Sequence, residues 1–93
     1  MTPAKRTRRY AVVLERARRN WSAYVPDVDG CVATGKRRRD AHRLIAGALR
    51  AHLRSLADHG EPIPPPGRRP VRTNRLSLRA HVEVEVPAPA AAP

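Results

Sequence analysis

The chain has 93 residues, and its 19 lysine and arginine side chains stand against only 8 carboxylates, a formal charge of +11. A chain this short supports one domain with a small core, and with no Phe, one Trp and two Tyr that core must be built from Val, Leu, Ile and Ala. No run approaches the roughly 18 apolar residues of a membrane span, and Cys31 alone cannot close an internal disulfide, which fits a reducing cytoplasm.

Residues 1–7 read as a frayed basic arm, without the apolar segment and small-residue cleavage site of a signal peptide. Residues 8–17 predict a first strand with Tyr10, Val12 and Leu14 on one parity and Ala11 and Val13 on the other. Both faces are apolar, so this strand belongs in the middle of a sheet or under cover on both sides. One face is expected to take a helix and the other a second copy or a partner. Arg16, Arg18, Arg19 and Asn20 make a polar turn into a second strand, residues 21–26. Trp21, Tyr24 and Val25 suit a pleated, half-buried surface, and Pro26, lacking an N–H, marks the strand's end. Asp29 and Gly30 are a turn pair, and residues 31–34 a short third strand that completes an antiparallel meander.

A helix follows over residues 37–58, with Ala41, Leu44, Ile45, Ala48, Leu49, Leu53 and Leu56 recurring at three- and four-residue steps. Gly60 suits the left-handed position after its last turn, and Pro62 prevents it from resuming. Its start is unusual. Lys36, Arg37, Arg38 and Arg39 oppose the helix dipole at about 0.3–1 kcal/mol each at low salt; no Ser, Thr or Asn supplies a cap, and Asp40 is the one compensating charge. Residues 61–67, Glu-Pro-Ile-Pro-Pro-Pro-Gly, form an extended connector. Beyond it, Leu76, Leu78, Ala80, Val82, Val84 and Val86 alternate with Arg75, Ser77, Arg79, His81, Glu83 and Glu85, the pattern of a half-buried strand. Such a strand spans about 40 Å, more than a small sheet needs, so part of it is expected to overhang and pair with another subunit. The Ala/Pro tail after it has no core-forming capacity and is expected to be disordered.

The excess of arginine implies attraction to phosphates or to an acidic partner. Arg39, Arg43, Arg50 and Arg54 share one solvent side of the helix and continue Lys36, Arg37 and Arg38, an arrangement able to track a phosphate backbone. Chemistry is otherwise sparse. His42, His52, His59 and His81 show no zinc-ligand spacing with Cys31. Asp27 and Asp29 read as turn formers, with no third carboxylate in the first strand to complete a metal site. No His or Asp is placed to activate Cys31, which reads as a small buried apolar group. These residues point to a binding scaffold, without catalytic residues, metal or cofactor.

Taken together, Tyr-Ala-Val-Val-Leu-Glu at 10–15, Trp-Ser-Ala-Tyr-Val-Pro-Asp at 21–27, Gly-Cys-Val-Ala-Thr-Gly at 30–35, the helix with Leu44, Ile45, His52 and Leu53, and Gly-Glu-Pro-Ile-Pro at 60–64 resemble the HicB family of antitoxins. The resemblance covers about residues 8–66, with the strand of Val82, Val84 and Val86 as a fourth element. It implies an α+β, partial RNase-H-like β-β-β-α-β fold, in which an antiparallel meander is followed by one crossover helix and a final strand. The corresponding organisation is a HicB-like domain over 1–66, a linker over 67–74, a strand over 75–87 that completes the sheet or an oligomer interface, and a tail over 88–93. The implied function is to bind and neutralise a small HicA-type mRNA-cleaving toxin by masking its RNA-binding and catalytic surface, as a homodimer or tetramer, with Trp21, Tyr24, Asp27 and Asp29 expected at the toxin contact.

Many members carry a C-terminal DNA-binding domain. Only 27 residues follow Pro66 here, and they read as one strand and a tail, so a short form without that domain is expected. The family usually has Ser or Thr at the helix N-cap followed by Glu-rich positions, where this chain has a run of basic residues. A toxin that grips RNA is itself expected to be basic, which leaves Asp27, Asp29, Glu83 and Glu85 as the acidic contacts. The alternative is a stand-alone nucleic-acid-binding protein acting through Lys36, Arg37, Arg38, Arg39, Arg43, Arg50 and Arg54.

Overall fold

The computed structural model describes residues 6–87. The elements are β1 (Arg6–Arg16), β2 (Trp21–Tyr24), β3 (Val32–Gly35), α1 (Arg38–Asp58) and β4 (Ser77–Val86). They form one sheet in the order β3-β2-β1-β4, antiparallel at every step, with α1 packed on one face. This is the α+β order expected from the sequence. The Ala/Pro tail and the first five residues of the basic arm lie outside the described residues.

β1 is central, as its two apolar faces require. Toward α1 it presents Tyr10, Val12 and Leu14, with Val82, Ala80 and Leu78 opposite them on β4 and Ala23 opposite Leu14 on β2. These side chains meet Ile45, Leu49 and Leu53 in the core. Ala11 and Val13, on the far side, are buried too, but not in the way expected. Beside Ala11 lies the chain's own connector, where Pro66, Gly67, Arg69, Pro70 and Val71 bound a cavity with Ala11, Arg9, Arg79 and His81, and Tyr24 stands opposite Val13 on the same face. A proline-rich segment is extended before folding and loses little entropy when laid along a sheet, so part of the face expected to need a second copy or a partner is covered by the chain itself.

The expected overhang of the last strand is also absorbed within the chain. β4 pairs without interruption from Ser77 to Val86, because β1 continues outward to Arg6 and supplies partners down to Arg6↔Val86. On the helix the buried row is Ala41, Ile45, Leu49, Leu53 and Ala57. Leu44, counted in the apolar stripe, is instead 43% exposed; four-residue steps track one narrow line, and Leu44 lies outside it. The helix closes as expected: Gly60 has φ 68°, its N–H donates to Ala57 O, and the Glu61 N–H donates to Leu56 O, a pair of bonds that satisfies the last carbonyls.

Candidate partner-binding surface

The alternation of β2 separates the residues expected at a partner contact. Trp21 and Ala23 face α1, and Trp21 packs half-buried against the core. Ser22 and Tyr24 face the other way, opposite Thr34 and Val32 of β3. Trp21 and Tyr24 therefore do not share a surface.

Between β2 and β3 the chain makes two consecutive turns. The Val28 N–H donates to Val25 O, the Cys31 N–H to Val28 O, and the Val25 N–H to Cys31 O; Gly30, at φ 78°, supplies the left-handed step. These turns aim Asp27 and Asp29 in different directions. Asp27 is 2% exposed, its carboxylate accepting from the backbone N–H of Gly67 at 2.9 Å and of Arg69 at 2.7 Å. It is committed to holding the connector. Asp29 is exposed and gripped by both terminal nitrogens of the Arg69 guanidinium, which hold its carboxyl below the usual carboxylate range.

Of the four residues, the structure brings Tyr24 and Asp29 to one place. They line an open groove of about 290 Å³ together with Pro26, Cys31, Val32 and Arg69. Val32 is 67% exposed, more than any other large apolar side chain among the described residues. Burial raises the pKa of the Cys31 thiol, which disfavours the nucleophilic thiolate. Val32 and Arg69 complete the groove and were not singled out by sequence. The signal for Val32 was its parity, since it shares an outward face with Thr34; nothing local marked Arg69, which arrives from a distant loop.

The basic residues form a separate surface. Lys36, Arg37, Arg38, Arg39, Arg43, Arg50 and Arg54 are all exposed, and Arg39, Arg43, Arg50 and Arg54 fall within about 60° of one another around the helix. Arg37 is the N-cap and makes no side-chain capping bond; Asp40 reaches Arg43 at 3.8 Å. Among the described residues, no group of three or more His, Cys, Asp or Glu side chains is placed to hold a metal ion.

A family model described as the HicB-like antitoxin of bacterial toxin–antitoxin systems matches residues 10–83. Among solved structures, one chain of a HicA3 and HicB3 toxin–antitoxin complex is similar at 24% identity and a TM-score of 0.63, over 78% of this chain and 93% of that one. At that identity the likeness shows the fold. No curated protein sequence matches the chain.

Proposed function

Because the chain belongs to the HicB-like antitoxins of bacterial toxin–antitoxin systems, we propose that it is a non-enzymatic cytoplasmic antitoxin. In this reading it binds a small HicA-type mRNA-cleaving toxin and masks the RNA-binding and catalytic surface of that toxin. The observation that carries the reading is the groove beside β3. It offers Tyr24, Pro26 and Val32 as an apolar floor with Asp29 and Arg69 as a charged rim, the usual composition of a protein contact. The similarity in fold to a chain of a HicA3 and HicB3 complex supports the choice of partner.

Isothermal titration with a purified HicA-type toxin tests the proposal. Val32→Asp is expected to weaken toxin binding by about tenfold or more, while stability stays within about 0.5 kcal/mol because the side chain is exposed. Undiminished affinity would move the contact elsewhere.

A second reading is favoured by the exposed arginine row: nucleic-acid binding on the same scaffold. Phosphate contacts weaken steeply as salt rises. The quadruple replacement Arg39→Gln, Arg43→Gln, Arg50→Gln and Arg54→Gln is expected to abolish binding to RNA and leave toxin affinity nearly unchanged. Loss of toxin binding in that variant would reverse the order of the two readings.

A further inference from the structure

We propose that the cavity between the far face of the sheet and the connector binds a small dianionic phosphate, held by Arg9 and Arg79 with His81 between them. This does not depend on the toxin reading. The strand register brings the three side chains together. His81 stands opposite Ala11, Glu83 opposite Arg9 and Arg79 opposite Val13, all on the face turned away from α1. Arg9 is therefore the diagonal neighbour of His81, and Arg79 precedes it on the same face of β4, each about 7 Å away at the backbone. All three line one cavity of about 530 Å³, with Ala11 on the sheet side and Pro66, Pro70 and Val71 on the connector side. That volume lies within the range of small-molecule sites.

The chain leaves these cations unanswered. Among the described residues the side chains of Arg9, Arg79 and His81 make no hydrogen bond or ion pair; His42 bonds only the His81 carbonyl. The third arginine at the cavity, Arg69, is held by Asp29. Two carboxylates lie close by. Asp27 lines the cavity, but its oxygens are taken by the Gly67 and Arg69 N–H groups. Glu83 shares the face without lining the cavity. The field at the imidazole is accordingly positive: burial, and then Arg9 and Arg79, lower the pKa of His81, and neither carboxylate offsets them. A guanidinium pairs bidentately with phosphate or carboxylate. A monocarboxylate answers one of the two forks, whereas a compact dianion answers both, and this count selects phosphate.

Isothermal titration of the full chain with inorganic phosphate, AMP and succinate tests the proposal, at slightly alkaline pH where phosphate carries two charges. Phosphate or AMP is expected to bind with a Kd of about 1 mM or tighter. Arg9→Gln and Arg79→Gln should each weaken it about tenfold or more, with an unchanged circular dichroism spectrum because both side chains are exposed. Equal affinity for the two phosphates assigns the site to free phosphate, and a preference for AMP assigns it to a nucleotide. A neighbouring dianion favours the imidazolium form, so saturating ligand should raise the His81 pKa measured by NMR, the resonance being identified by its loss in His81→Gln. No binding at about ten times that concentration, binding undiminished in both arginine variants, an unmoved His81 pKa, or tighter binding of succinate would overturn the proposal. So would tighter binding, through the same two arginines, of an RNA oligonucleotide with hydroxyl ends, which would assign them to a nucleic-acid backbone.

Discussion

Asp27→Ala is expected to release the connector from the sheet and lower stability by about 3 kcal/mol or more, since each of its two hydrogen bonds to a charged acceptor contributes about 1.5–3 kcal/mol. Asp27 is the one buried charged side chain among the described residues. Its two oxygens accept from the Gly67 and Arg69 N–H groups across a separation of some forty positions in the chain. Without them, Pro66, Pro70 and Val71 lose the polar anchor that holds them beside Ala11. The urea midpoint reports the loss, and faster hydrogen exchange along β1 together with tryptic cleavage at Arg68 or Arg72 reports its location. Asp27→Asn keeps one acceptor oxygen and should fall between the parent and the alanine variant. An alanine variant as stable and as protease-resistant as the parent would mean that packing alone holds the connector.

The pH dependence of stability should run in one direction. Arg69 holds the Asp29 carboxyl below its ordinary range. Burial, and then the nearby Arg9 and Arg79, lower the pKa of His81. In both cases the folded chain binds fewer protons than the unfolded chain. Their contribution is present in full above the unfolded histidine value, declines as histidine titrates, and declines again as pH falls toward the lowered value of Asp29.

Gly35→Ala is the second large effect expected, a loss of about 2–3 kcal/mol, toward the upper end for overpacking. A Cβ at Gly35 would lie 2.6 Å from the Ala41 backbone nitrogen and 2.9 Å from the Asp40 carbonyl carbon. Neither atom can move without shifting the first turn of α1, whose N-cap already lacks a side-chain bond. The contrast is Gly47→Ala. Its nearest neighbour would be the flexible end of Arg50 at 3.7 Å, so the gain in helix propensity, about 0.5–1 kcal/mol, should show as added stability. Thermal melts of the two variants should move in opposite directions. If Gly35→Ala melts with the parent, the junction between β3 and α1 is looser than these distances require.

The elements were legible because their periodicities are strong. Leu76 to Val86 alternates without a lapse, and β4 formed there. The two apolar faces of β1 were also correctly read as a need for cover on both sides. The source of that cover was not legible, because nothing local to Pro66 or Gly67 indicates that they will find the carboxylate of Asp27. A hydrogen bond between distant positions leaves no periodic trace. For the same reason Asp27 read as a turn former or partner contact when its role is internal. Leu44 shows the limit of a three- and four-residue pattern: it fits the spacing, while burial follows the four-residue line from Ala41 to Ala57.

The pairing of β1 with β4 joins Arg6 to Val86, and this has a kinetic consequence. β1 is synthesised well before β4 and must wait for that strand before its second flank is occupied. Contacts so remote in sequence close slowly, and an interrupted translation product would leave that flank bare. The sheet is thus complete only once Val86 is free to reach Arg6, and a chain stopped before β4 would expose the bare flank of β1.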